Sequence, residues 1–330
     1  MVLLIKKEDM QRVYTMAEAI EAVKRAFELF SQGKAVVPLR TNIDVAKRGG
    51  QALFMPAYVE ETESLGVKIV SVFPGNVKLG RPAVPATMVH MDSATGEVCA
   101  IMDGTYLTQV RTGAAAGAAT DLLARKDALV GALIGAGGQS SSQIEAMLTA
   151  RNLKEIRIYD ADTSRAQRRA EAESKRWGEK GVRVMAVESA AEAVTGADVI
   201  TTVTTSKKPV FPVEAVKEGA HVNGVGSYTP EMQELPPEVI LRAGRVFVDS
   251  REAVLAEAGD LIIPIRGGLF TESVVFGELG ELVAGRAEGR KNNTEITVFK
   301  TVGLGVQDVV TAGEIYRKAK EKGVGVEFPF

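Results

Sequence analysis

The residues best suited to chemistry are a glycine turn, the acid that follows it, and a lysine set inside an apolar run. Ile134-Gly-Ala-Gly-Gly-Gln139 closes one apolar run, and Ile156-Arg-Ile-Tyr-Asp160 is a second run that stops on a carboxylate. A helical pattern lies between them. Strand, glycine turn, helix, strand and terminal acid is the order that a dinucleotide-binding β-α-β unit requires. Gly135 allows the tight turn out of the strand. Gly137 lets backbone approach a pyrophosphate, because no Cβ stands in the way. The helix start then offers free N–H groups and a positive dipole end to phosphates. Asp160 is placed to accept hydrogen bonds from an adenine ribose, which argues for NAD(H), with NADP(H) as the alternative because Arg165 follows closely. The third glycine of the fingerprint is replaced by Ser140, a departure expected to loosen helix–strand packing. The competing interpretation is a tight turn in an ordinary α/β protein.

Lys68 sits between Val67, Ile69 and Val70. A lysine in such a run is costly unless it is paired or lines a cavity. Either it serves a site, or it lies on the solvent side of a strand.

These residues need elements to hold them. Residues 2–5 form a strand candidate. From Glu8 to Ser31 apolar residues recur at helical spacing, and Thr15-Met-Ala-Glu18 resembles a capping box, so a short turn and then a long helix are expected. Between Val36 and Met102 short β-rich runs appear, at 53–58, 65–72, 86–91 and 97–102, with a hairpin turn at 92–96. An antiparallel sheet is the natural reading. Residues 105–123 form a helix rich in Gly and Ala, which can lie close to its neighbours. From residue 127 strands (129–134, 155–160, 182–187, 198–203, 220–225, 245–249, 295–300) alternate with helices, which implies a parallel sheet. A turn and long helix follow over 301–322, and residues 324–330 can return to the first domain.

The 330-residue chain has globular proportions and a net charge of −2, which gives no electrostatic case for nucleic acid. Cys99 is the lone cysteine, so no internal disulfide forms, and it reads as packing rather than as a nucleophile. His90 and His221 with one cysteine supply no usual zinc site, so no metal is expected. His221 sits in an apolar stretch and reads as structural. No signal peptide and no membrane-length apolar run is visible, so a soluble cytoplasmic protein is expected.

Taken together, several stretches resemble the ornithine cyclodeaminase/μ-crystallin family over nearly the whole chain. They are Pro38-Leu-Arg40, Gly66-Val-Lys-Ile69, Gly80-Arg-Pro82, Gln109-Val-Arg-Thr-Gly-Ala-Ala115, the glycine turn, Ala197-Asp-Val-Ile-Thr-Thr202, His221-Val-Asn-Gly-Val-Gly-Ser227 and Lys300-Thr-Val-Gly-Leu-Gly-Val-Gln-Asp308. The resemblance implies an α/β fold: a doubly wound Rossmann domain over 116–304, and an α+β dimerisation and substrate domain built from 1–115 and 305–330. It implies a nicotinamide cofactor, a small imino or amino acid as partner, and a homodimer. By the same resemblance Arg40, Lys68 and Arg111 hold a substrate carboxylate and Thr301 and Val302 touch substrate, the alternatives being a surface arginine at 40 and a structural one at 111; Lys68 is in addition the candidate to steer or deliver a proton, with solvent as the other source. Cofactor contacts fall to Arg111, Thr112, Gly135, Gly137, Gly138, Gln139, Asp160, Arg165, Thr201, Thr202, Val222, Asn223, Gly224 and Val225. For Thr201 and Thr202 simple β-propensity is an equal alternative.

One departure narrows the chemistry. Where ornithine cyclodeaminases carry an aspartate, this chain has Tyr228, and Met232 replaces a family lysine. Cyclodeamination needs a carboxylate to hold the δ-ammonium and take its proton, and a phenol with a pKa of about 10 is a poor substitute. Reduction of a cyclic imine needs no such acid. The expected activity is NAD(P)H-dependent reduction of Δ1-pyrroline-2-carboxylate to L-proline or of Δ1-piperideine-2-carboxylate to L-pipecolate. Ornithine cyclodeamination, alanine dehydrogenation and non-catalytic ligand binding of the μ-crystallin type are the alternatives.

Overall fold

The structure is a computed structural model that describes residues 1–329. Two compact units are present: one comprises Met1–Arg111 and the residues from Gly303 onward, the other Thr112–Val302.

The first unit opens with strand β1 (Val2–Ile5), helix α1 (Lys7–Val13) and helix α2 (Met16–Ser31). The expected turn ahead of the long helix is thus a helix of its own. Thr15 separates the two: its hydroxyl accepts from the Glu18 N–H, and the Glu18 carboxylate accepts from the Thr15 N–H at 2.8 Å. Such reciprocal capping contributes about 1 kcal/mol. Met16, Ile20, Val23 and Phe27 recur every three or four residues and are buried on one stripe of α2.

Strands β2 (Ala35–Val36), β3 (Thr41–Val45), β4 (Gly50–Val59), β5 (Ser64–Val72), β6 (Ala86–Met91) and β7 (Val98–Asp103) follow. Helix α3 (Gly104–Leu123) then carries the chain from the first unit into the second. Strands β4 to β7 form an antiparallel meander, as the alternation of short β-runs implies. The sheet as a whole is mixed, because β1 pairs parallel with β7. That pairing joins residues almost a hundred positions apart, which no local pattern announces.

The second unit is doubly wound. Strands β8 (Val130–Ile134), β9 (Glu155–Tyr159), β10 (Arg183–Ala186), β11 (Val199–Thr202), β12 (His221–Gly224), β13 (Ala243–Val248), β14 (Gly277–Glu278) and β15 (Ile296–Lys300) stack in the order β10-β9-β8-β11-β12-β15-β13-β14. Every pairing in this sheet is parallel. The central strands are buried on both faces, which is why β8 is a continuous apolar run and why β11 opens on Val-Ile. Helices α4 (Ser140–Ala150), α5 (Thr163–Trp177), α6 (Ala190–Val194), α7 (Pro237–Arg242), α8 (Arg251–Glu257), α9 (Gly259–Arg266) and α10 (Leu279–Val283) supply the crossovers and cover. The winding reverses between β8 and β11, the place where open α/β sheets bind ligands.

The chain returns to the first unit with helix α11 (Gly305–Glu321) and strand β16 (Val326–Phe328), which pairs antiparallel with β1. Helices α1 and α2 each pack on α11, and α11 lies on β4, β5 and β6, covering one face of the sheet. Among the described residues no helix is long and apolar enough to cross a membrane, and no cluster of His, Cys, Asp or Glu is placed to hold a metal ion.

Candidate active site

Alternation along β5 buries Ser64, Gly66, Lys68 and Val70 and leaves Ile69 37% exposed. Lys68 therefore points under α11, and its side chain is 1% exposed. Its Nζ donates to Asp308 Oδ2 at 2.7 Å, and Arg111 Nε lies 2.9 Å from Asp308 Oδ1. That second contact is an ion pair whose angle is too bent for a hydrogen bond, since both atoms otherwise lack a hydrogen-bond partner. Arg111 Nη1 also lies 3.4 Å from Gln307 Oε1, a long contact. Arg40, half-buried ahead of β3, donates from Nη2 to Gly303 O at 2.8 Å, and its charge is felt at Lys68.

Lys68 and Arg111 thus share the Asp308 carboxylate, one more buried cation than acid, and the Arg40 charge is felt at Lys68. Burial, followed by the Arg111 charge, pulls the Lys68 pKa down from 10.5 to about 7, against the opposing pull of Asp308. A buried cation excess with a near-neutral lysine suits an anionic ligand that needs a proton moved. The buried Gln307 side-chain nitrogen has no partner among the described residues and adds a free donor.

Gly303 shapes this cluster. Its φ is +82°, and a Cβ there would collide with Arg111 Nη1. Gly303→Ala combines left-handed strain of about 1 kcal/mol with displacement of the guanidinium. KM for a carboxylate substrate should rise about tenfold with kcat less affected, as steady-state kinetics would report.

In the second unit the glycine turn bends as its residues require. Gly135 has a φ of +106°, and a Cβ there would stand 2.7 Å from Val203 O. Gly137 differs: nothing lies within 4 Å of where its Cβ would be, so a ligand can come close to the backbone. Ser140 is fully buried. Its hydroxyl donates to Gly137 O at 2.6 Å, and the tight contact of α4 is met at Gly113 of α3, whose Cβ would stand 2.6 Å from Ser142 O. Asp160 accepts from the Ala136 N–H at 2.8 Å and from the Asp162 N–H at 2.9 Å. Arg165 Nη1 lies 3.8 Å from it. A cavity of about 550 Å³ is lined by Gly135, Gly137, Asp160 and Arg165. Its far wall is residues 203–206 and 208–210, which follow β11 and which no sequence motif marks. Gly138 is exposed and Gln139 half-buried at the same turn.

Other expected cofactor residues sit deeper. Thr201, Thr202, Val222 and Asn223 are all fully buried within their strands. The Asn223 amide donates to Thr120 Oγ1 at 3.0 Å and to Thr201 Oγ1 at 3.3 Å, and its Oδ1 lies 3.0 Å from His221 Nε2. These side chains form an internal network, and Gly224 and Val225, next along the chain, are buried as well. His221, whose Nδ1 meets Thr297 Oγ1 at 2.9 Å, has its pKa pushed down to about 3, first by burial and then by Arg290. It is a neutral core histidine, the structural role its apolar surroundings imply. Thr112, in α3, has a buried hydroxyl without a hydrogen-bond partner. The Thr301 hydroxyl and the Val302 N–H both donate to Asp249 Oδ2, at 2.6 and 2.9 Å.

An open glycine turn and a strand-terminal acid lining one cavity beside the switch point of a parallel sheet define a dinucleotide-binding α/β protein. More narrowly, the chain belongs to the ornithine cyclodeaminase/mu-crystallin family, whose model matches residues 2–323. It is 39% identical over 328 residues to a Δ1-pyrroline-2-carboxylate reductase of Bacillus cereus, covering 99% of this chain and all of that protein. The Thermococcus litoralis Δ1-pyrroline-2-carboxylate reductase, solved with NADH and L-proline, superposes with a TM-score of 0.95 at 43% identity, covering 99% of this chain and 100% of that one. An archaeal alanine dehydrogenase dimer with bound NAD gives 0.91 at 35% identity, over 100% of this chain and 99% of that one.

Proposed function

We propose that this chain is an NADH-dependent reductase of cyclic α-imino acids that converts Δ1-pyrroline-2-carboxylate to L-proline. The observation that carries the proposal is the buried Lys68–Asp308–Arg111 cluster, with its excess of positive charge and its near-neutral lysine. The likeness to the two pyrroline-2-carboxylate reductases supports it. Arg111 and Arg40 take the carboxylate oxygens, since a guanidinium fork can hold both and so fix the α-carbon. Lys68 holds a proton at Nζ for the imine nitrogen, and Asp308 orients that ammonium. When bound, the nicotinamide supplies the hydride equivalent that the imine carbon gains. The residues fit such a cofactor: Gly137 leaves the turn open, and Asp160 offers a carboxylate where a ribose needs an acceptor and a 2′-phosphate would be repelled. NADH is therefore preferred over NADPH.

Cyclodeamination is disfavoured because no acid replaces the one lost at Tyr228. Glu231 is exposed, and the buried Glu234 carboxylate is consumed by backbone N–H groups. Alanine dehydrogenation is the second reading, on the likeness to the archaeal enzyme. The test is NADH consumption with Δ1-pyrroline-2-carboxylate, run beside pyruvate plus ammonia and beside ammonia release from ornithine. Turnover of the imine well above the other two is expected; turnover of pyruvate alone, or ammonia from ornithine, would overturn the proposal. Tyr228→Phe should leave imine reduction within about threefold of wild type, whereas a loss of about a thousandfold would make the phenol the proton donor.

The sheet of the first unit turns Leu4, Val67, Ile69, Val89 and Ile101 away from its helices, as an apolar face. We assign that face to a second copy of the chain, on the precedent of the archaeal dimer. Light scattering should give twice the chain mass, and Ile69→Asp should give the monomer. A cytoplasmic location, where NADH is replenished, completes the proposal.

A further inference from the structure

Behind the carboxyl edge of the parallel sheet lies a charged group that the reaction does not use. Glu234 is fully buried, and its carboxylate accepts three backbone N–H groups: Thr204 at 2.5 Å, Gly226 at 2.5 Å and Ser227 at 3.0 Å. Thr204 follows β11, and Gly226 and Ser227 follow β12. One side chain therefore joins the loops that leave two neighbouring strands. The loops also touch directly, since a Cβ on Gly226 would collide with Thr204 O. Glu234 is itself held: its N–H and that of Leu235 donate to Asp260 Oδ1 at 2.6 and 2.9 Å. Asp260 Oδ2 lies 3.0 Å from Lys300 Nζ at the end of β15, and Lys300 donates to Gly224 O at 3.2 Å. The ends of β11, β12 and β15 are thus tied by two acids and one lysine, each at most 1% exposed.

Such an arrangement is expensive. Two carboxylates share one ammonium away from water, and burial together with the Asp260 charge raises the Glu234 pKa. Strand ladders end where these loops begin, so their N–H groups need partners. Yet a buried serine or asparagine could serve a single loop without a charge. What a charged triad adds is a fixed spacing between loops that a ligand must meet together.

We propose that Glu234, Asp260 and Lys300 are positioning residues that fix residues 225–227 against Thr204, and with them the seat of the nicotinamide end, which falls to the half of the doubly wound sheet that does not carry Asp160; this rests on the cofactor reading above. Lys300 opens the Lys300-Thr-Val-Gly stretch, so the triad also sets where that loop leaves the sheet.

The test separates the two ends of the cofactor. Glu234→Gln keeps the shape but turns an N–H₂ toward backbone N–H groups. NADH bound to the wild type should show altered nicotinamide fluorescence, and the variant should lose that change. Turnover should fall about tenfold to a hundredfold, as a misplaced ring requires. ADP-ribose, which lacks that ring but meets the Thr204 wall of the same cavity, should lose much less affinity than NADH in calorimetry. Lys300→Met should act in the same direction, and adding Asp260→Asn should return part of the loss by removing the uncompensated carboxylate. Parallel loss of NADH and ADP-ribose affinity would overturn the proposal, as would unchanged fluorescence with unchanged turnover. If none of the variants folds, the triad is a folding element and the proposal fails. A wild-type protein that binds neither NADH nor ADP-ribose would instead remove the cofactor reading itself.

Discussion

Replacing Lys68 by methionine should lower kcat for imine reduction about a thousandfold while the protein stays folded. Methionine fills nearly the same volume in a site that is 1% exposed, so little packing is lost. Breaking a buried ion pair ordinarily costs about 3–5 kcal/mol, because the abandoned charge has no partner. Here Asp308 keeps Arg111 Nε at 2.9 Å, and the burial penalty already carried by the Lys68 ammonium disappears. The expected stability loss is therefore below about 3 kcal/mol, measurable by denaturant titration. The kinetic loss has two sources, the proton held at Nζ and part of the carboxylate clamp. They separate in the kinetic parameters: loss of the proton lowers kcat, and loss of the clamp raises KM. A tenfold rise in KM with kcat unchanged would reduce Lys68 to an anchor and hand the proton to solvent.

The legible parts of this site are those whose chemistry is local in the chain. The glycine turn, Ser140 and Asp160 lie within one β-α-β unit, and hydrophobic runs on either side fix their order. Thr15 and Glu18 cap a helix from three residues apart. Lys68 is legible as an anomaly, a charge in an apolar strand, but its face depends on sheet register and on which helix covers it. Asp308, which holds it, is 240 residues away. It stands in the motif that opens with Lys300, where nothing marks it as a partner of Lys68. The triad of Glu234, Asp260 and Lys300 is hidden for the same reason, since three separate segments supply it. Thr201, Thr202 and Asn223 carry a signal that reads two ways. Polar residues at the ends of parallel strands suggest ligand contact, yet Asn223 bonds to His221, Thr120 and Thr201, and the Thr202 hydroxyl lies 3.5 Å from Asn223 O. Only their mutual hydrogen bonding, invisible in sequence, makes that burial tolerable.

The pH dependence of the reaction follows from the same cluster. The Lys68 pKa is lowered to about 7, so the ammonium is intact below that value and lost above it. Reduction consumes the proton held there. Its kcat/KM, which reports the free enzyme, should be level below about pH 7 and fall tenfold per unit above it. Proline oxidation needs the neutral amine as acceptor, and its rate should rise through the same value. Initial rates over roughly pH 5.5 to 9.5, at constant ionic strength, would define both limbs. Asp308 raises the Lys68 pKa by charge and by hydrogen bond, against burial and the Arg111 and Arg40 charges that lower it. Asp308→Asn leaves those opposing influences in place and removes the charge. The descending limb of reduction must then move to lower pH, and wild-type and variant rates converge as the medium becomes acidic. Lys68→Met should abolish the limb altogether. A limb that stays near pH 7 in both variants would assign the titrating group to the imine substrate, and Lys68 would no longer be the proton donor.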